Sequence, residues 1–82
     1  MDTLDTIERI ASEKLGIAAE RLKSAHTLSE AGIDSLAATE LVFAIEAQFG
    51  VVIDATELAR VRTMQDLADI VDALRADGRG MS

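Results

Sequence analysis

The hydroxyl of Ser35 stands where an attached group could be tolerated. It lies in Gly32-Ile33-Asp34-Ser35-Leu36, where a loop gives way to a stretch with helical periodicity. Free N–H groups and the helix dipole favour negative charge at such an end, so a phosphate joined to a hydroxyl there is tolerated. A serine hydroxyl attacks only when a base takes its proton. The chain has one His, His26 in the preceding loop, and no Cys. Nothing in it could activate Ser35, and no residue is assigned a catalytic role. The lack of Cys also removes disulfides, thiolate metal sites and a Cys nucleophile, and a single His makes no zinc site, so no metal is expected. Calcium-loop, P-loop and dinucleotide motifs are absent. A purely structural reading makes Asp34 or Ser35 an ordinary helix N-cap, since both residue types are preferred there.

The elements that would position Ser35 follow from periodicity and punctuation. Leu4, Ile7, Ile10, Ala11 and Leu15 recur at helical spacing, with Asp2 and Asp5 at the positive end of the dipole and Gly16 as a stop. Ile17 to Asp34 carries apolar residues without sustained period. It reads as a long ordered loop pinned to the core, with a short turn near Ala18 to Leu22. Loops of that length inside small domains are usually functional. A second helix is predicted from Ser35 to Phe49, ended by Gly50, and Val51-Val52-Ile53 forms an apolar connector. Asp54-Ala55-Thr56-Glu57 opens a short third helix to about Arg60. Thr63-Met64-Gln65-Asp66 is a capping signature for the last helix, whose inward residues are Met64, Leu67, Ile70, Val71 and Leu74. The fold class is all-α: a four-helix bundle with three main helices, one short third helix and a long first loop. Residues 1–76 form one domain, and 77–82 are expected to be a disordered tail.

The second helix is apolar on two sides. With Leu36 at zero and about 100° per residue, Ala38, Leu41, Val42, Ile45 and Phe49 fall between about 140° and 240°. That stripe faces the core. Leu36, Glu40, Phe43 and Ala47 lie opposite, with Glu46 on the flank. Leaving Leu36 and Phe43 in water forgoes roughly 1.5–3 kcal/mol each. A domain this size buries only about 60% of its unfolded surface, so that loss matters. The outward face therefore reads as apolar anchors inside an acidic rim, suited to a basic partner. The bland alternative has Phe43 tucked against a neighbouring element.

Charge supports the same direction. The net charge is −7, which argues against nucleic acid and anionic membrane as partners. From Ser24 to Ala59, thirty-six residues hold six acidic side chains and neither Lys nor Arg. A solvated acidic face would also produce this pattern. No apolar run approaches a membrane span, and the acidic N-terminus lacks the regions of a signal peptide. A cytoplasmic protein without membrane insertion is expected.

Gly32-Ile33-Asp34-Ser35-Leu36, with Leu28 seven residues before the serine and Glu40-Leu41-Val42 after it, resembles the attachment motif of acyl carrier proteins. The likeness extends over the whole chain, through Gln48-Phe49-Gly50 and Val51-Val52-Ile53-Asp54. The resemblance implies that Ser35 carries 4′-phosphopantetheine, transferred from coenzyme A by a separate phosphopantetheinyl transferase with magnesium. The chain would then be a substrate and shuttle, not an enzyme, and a monomer. It further implies that Asp34, Leu36, Glu40, Phe43 and Glu46 meet partners: acyl-transfer, synthase or acyl-activating enzymes with basic docking faces. Ile45, Ile53, Leu58, Val61 and Leu67 match positions lining an acyl pocket, and are ordinary core at the same time.

Three positions depart from the resemblance. Ala37 and Ala47 stand where fatty-acid carriers usually have acidic residues, and Ala31 where Leu is frequent. Less charge on the recognition helix points to a dedicated pathway, such as a special lipid, a polyketide or a modified acyl group. Two alternatives remain open. One is a stand-alone aminoacyl or peptidyl carrier, which often shows Gly-Gly-His-Ser or Gly-Gly-Asp-Ser; here Ile33 stands in place of the second Gly and Asp34 in place of His. The other is a helical interaction module whose Ser35 is never modified.

Overall fold

A computed structural model describes residues 2–77 and contains helices without strands among them. The first helix, α1 (Thr3–Leu15), is the hub, with contacts to three others. Asp2 caps it by accepting a hydrogen bond from the Asp5 N–H at 2.8 Å, and Gly16 ends it at φ 68°. Ile7, Ile10 and Ala11 are buried, while Leu4 and Leu15 lie half-buried at its ends. Their i, i+3, i+4 spacing turns one stripe inward.

The turn expected near Ala18 to Leu22 is a complete short helix, α2 (Ala19–Ser24). No side chain caps its start, so tertiary contacts must hold it. Leu22 supplies one, being buried. The other is an ion pair of Lys23 Nζ with Glu8 Oε1 at 2.8 Å, which ties α2 to α1. That hydrogen bond to Glu8 is the main reason the Lys23 ammonium is held above its ordinary pKa.

The segment from 25 to 34 is ordered by its own polar groups. Glu30 accepts from the His26 N–H at 2.7 Å, and the Glu30 N–H donates to Thr27 Oγ1 at 3.1 Å. Leu28, Ala31 and Ile33 are buried. Across the molecule, the Leu28 N–H donates to the Arg62 carbonyl at 2.8 Å. The loop is thus strapped to the segment before the last helix.

The second main helix, α3 (Ser35–Phe49), ends at Gly50 in the left-handed region, φ 67°. The connector after it alternates: Val51 and Ile53 are buried and Val52 is exposed. Asp54 caps α4 (Ala55–Leu58) through the Glu57 N–H at 2.9 Å. This helix is shorter than the expected reach to Arg60. The last helix, α5 (Met64–Asp77), buries Met64, Leu67, Ala68, Val71 and Leu74. Ile70, expected inward, is half-buried. The helix runs to Asp77, and 78–82, the rest of the expected tail, lie outside the described residues. Thr3 Oγ1 donates to Asp72 and joins the start of α1 to α5. No described helix is long and apolar enough to cross a membrane.

The capping signature before α5 forms as read. The Asp66 N–H donates to Thr63 Oγ1 at 3.0 Å, while Asp66 Oδ2 accepts from the N–H of Arg62 at 2.9 Å and of Thr63 at 3.1 Å. These bonds, with Arg62 N–H first, hold the Asp66 carboxyl below its ordinary pKa. A depressed carboxylate stabilises the fold fully above its unfolded value of 3.8, and that contribution is lost as pH falls through the folded value. Asp66→Ala is expected to cost about 1 kcal/mol near neutral pH. Thermal melts should show the difference from wild type shrinking once the pH falls below about 3.8. A gap that stays constant through acid would contradict this assignment.

Candidate functional site

The start of α3 settles which residue caps the helix. Asp34 Oδ1 accepts the Ala37 N–H at 2.8 Å, and the Asp34 carbonyl accepts the Ala38 N–H at 2.8 Å. Asp34 is therefore the N-cap and Ser35 is the first helical residue. Ser35 is exposed, and its Oγ makes no hydrogen bond among the described residues; its carbonyl accepts from Thr39 Oγ1 at 3.0 Å. The hydroxyl is thus not spent on the backbone. It stands in water at the positive end of a fifteen-residue helix.

Beside it opens a cavity of about 530 Å³ between α3, the 25–34 loop and α4. Ser35, Asp34, Ala38 and Thr39 form its α3 side; Thr27, Leu28, Ser29 and Ile33 its loop side; Leu58, Val61 and Arg62 the wall opposite. The loop side stands where it does because of the Leu28–Arg62 backbone bond and the buried Leu28 and Ile33. Of the five residues expected to line a pocket, Leu58 and Val61 do so. Ile45, Ile53 and Leu67 lie in the core, as was also expected of them, with 0%, 7% and 1% of their surface exposed, and do not border this cavity. Thr27, Ser29, Thr39 and Arg62 were not expected in it. They sit far apart in sequence or read locally as turn and helix-surface residues, so no periodic signal marks them.

The outward side of α3 presents Leu36 at 71% and Phe43 at 65% exposure, with Glu40 also exposed. Phe43 does not tuck against a neighbouring element. Opposite, Leu41, Val42 and Ile45 are buried and Ala38 and Phe49 half-buried. Arg75 of α5 lies over the Phe49 ring, 5.3 Å from its centroid. Asp34 is exposed at the helix tip. Glu46 differs from the rest of the rim. It is half-buried, and its Oε2 accepts the Ile53 N–H at 2.8 Å, fastening the connector beneath the helix end.

The fold also returns cations to the acidic middle of the sequence. Arg62 lines the cavity. The Arg21 guanidinium packs over Gly32, where a Cβ would lie 3.4 Å from Nη2. Gly32 has φ 86°, a conformation that residues with side chains avoid.

An exposed, unspent hydroxyl at a helix N-terminus, with a partly apolar cavity alongside, fits a phosphate-linked arm. The helix end would receive the phosphate and the cavity the chain attached beyond it. A family model described as phosphopantetheine attachment site matches residues 5–71. The chain is 35% identical over 72 residues to a protein named acyl carrier protein from Nitratidesulfovibrio vulgaris, covering 87% of this chain and 95% of the relative. It is 34% identical over 76 residues to an acyl carrier protein of Zymomonas mobilis, covering 92% and 97%. Similarity extends to acyl carrier protein 1, chloroplastic, of Spinacia oleracea, at 32% over 74 residues, covering 89% of this chain and 54% of that one.

Proposed function

We propose that this chain, which belongs to the acyl carrier protein family, uses Ser35 to hold its covalent 4′-phosphopantetheine and delivers acyl groups to biosynthetic enzymes in the cytoplasm. When bound, the group supplies a terminal thiol that carries acyl chains as thioesters. The observation that carries the choice of residue is that Asp34 caps α3 and leaves Ser35 Oγ unspent and exposed. In the attachment step the Ser35 oxygen forms a bond to the pantetheine-side phosphorus of coenzyme A. The bond from that phosphorus to the nucleotide half breaks, and the serine proton passes to a base on the transferase. The chain contributes position and field, not catalysis.

Loading is tested by mass spectrometry after incubation with a phosphopantetheinyl transferase, magnesium and coenzyme A. Gain of one phosphopantetheine is the expected result; an unchanged mass, where a control carrier loads, removes the carrier reading. Offering the loaded protein to acyl- and aminoacyl-activating enzymes then reads the cargo, and exclusive aminoacylation would replace the acyl reading.

Asp34, Leu36, Glu40 and Phe43 form the proposed docking face, met by Arg and Lys on transferases, synthases and acyl-activating enzymes. Glu46 joins it through whatever its clamp on Ile53 leaves free. Ala37 and Ala47 lower the charge of that face, which fits a monomer serving a dedicated pathway. Glu40→Lys is expected to weaken transfer from a basic partner roughly threefold to tenfold at low salt, about twice the usual worth of one exposed pair. Steady-state transfer rates across a salt series check it, because screening should shrink the defect. A defect independent of salt would rule out the charge explanation.

A further inference from the structure

The two halves of α3 differ in the charge around them. Its own carboxylates are Glu40 and Glu46, with Asp34 at the cap. Asp34 and Glu40 are exposed, whereas Glu46 is half-buried and bonded to the Ile53 N–H. The free acid therefore lies toward the Ser35 end. Past Phe43, the residues Ala44, Ala47 and Gln48 line a groove of about 370 Å³ shared with α1. On the α1 side stand Arg9, Glu13 and Lys14, all exposed, with the buried Ile10 also lining it. Two cations against one carboxylate leave that border positive, and among the described residues neither Arg9 nor Lys14 makes an ion pair. Lys14 lies in the last turn of α1, where a cation suits the dipole; Arg9, in mid-helix, has no such use.

On the reading of the outward side of α3 as a docking face, we propose that the protein it takes presents both signs of charge. Lys or Arg of the partner stands opposite Asp34 and Glu40. An Asp or Glu of the partner stands in the α1–α3 groove beside Arg9 and Lys14, about 10 Å further along the helix axis. Leu36 and Phe43, both exposed, anchor the contact between. Exposed charges act over about 8 Å in physiological salt, so Arg9 and Lys14 reach a carboxylate in the groove from several rotamers. A wholly basic surface loses by the same arrangement, because its cations come to lie beside Arg9 and Lys14, and like-charge contacts suppress wrong partners. The pattern also fixes direction. A partner docked end for end meets its own sign at both ends, so Ser35 is presented one way round.

The chain has two lysines, Lys14 and Lys23, and Lys23 is held by Glu8. Zero-length carbodiimide coupling can therefore be read residue by residue. The probes are the phosphopantetheinyl transferase that loads the full chain and the activating enzyme that charges it. Mass spectrometry of linked peptides should show, with at least one of them, Lys14 joined to an Asp or Glu and Glu40 joined to a Lys. Arg9→Gln combined with Lys14→Gln should slow transfer with that enzyme roughly threefold to tenfold at low salt, with an unchanged melt. Neutralising the linked carboxylate on the enzyme should slow wild type equally and the double variant little further. A wholly basic partner face predicts the opposite sign, since the variant makes the chain more acidic. Faster or unchanged transfer, or links through Glu40 without links through Lys14, overturns the proposal and leaves the docking face standing. Links through neither residue overturn the docking face with it. Failure to load overturns the carrier reading beneath both.

Discussion

Ser35→Ala is expected to abolish phosphopantetheine loading completely while leaving the fold unchanged. The two halves of that result rest on different atoms. Attachment needs a hydroxyl oxygen at the tip of α3, and the variant has none there. Thr39, one turn later, has committed its proton to the backbone at position 35 and sits on the helix flank. Stability rests on Asp34 instead, whose carboxylate holds the Ala37 N–H. Alanine is a better helix former than serine, so the melting transition of Ser35→Ala should match wild type within about 0.5 kcal/mol. Asp34→Ala should behave the other way in stability, costing about 1 kcal/mol through the lost cap. Mass spectrometry and thermal melts on the same two variants separate the roles. Continued mass gain by Ser35→Ala would place attachment elsewhere and undo the proposed site.

The long helices were legible because their signals are local. Asp2, Gly16, Gly50 and the Thr63–Asp66 pair act within one turn of the chain, and their capping bonds form between residues close in sequence. The two-sided character of α3 was legible for the same reason, since 100° steps depend on nothing but the helix itself. What the chain hides is whatever depends on a distant partner. Six residues without a capping side chain do not announce α2. That helix exists because Leu22 is buried and Lys23 reaches Glu8, fifteen positions earlier. The cavity is hidden more deeply. Its two sides meet through one backbone bond between Leu28 and Arg62, and neither amide group is visible in a pattern of side chains. Which residues border it is decided by that distant bond and not by any local pattern. Glu46 shows the same limit from the surface. Its place on the helix wheel is correct, and its bond to Ile53 could not be anticipated from the wheel.

Two leucines on α3, five positions apart, should respond oppositely to the same truncation. Leu41 is fully buried and Leu36 is 71% exposed. Leu41→Ala removes buried carbon and leaves a cavity, at a cost of roughly 2–5 kcal/mol. A small single-core domain has about 5 kcal/mol or little more to lose. The melting temperature should therefore fall by roughly 10–30 °C, and the variant should be partly unfolded when warmed. Leu36→Ala removes carbon that already faces water, so its melt should shift by no more than about 0.5 kcal/mol. Its effect should appear in transfer instead. An apolar anchor at the centre of a docking face is worth about 1–2 kcal/mol, so partner-dependent transfer to the loaded protein should fall roughly tenfold. Phe43→Ala should do the same, and the double variant should lose more than either alone without melting earlier. The pairing makes the reading of α3 vulnerable at one point. If Leu36→Ala and Phe43→Ala keep full transfer rates with several unrelated partners, the outward apolar face is not a docking surface. Its exposure would then need another cause.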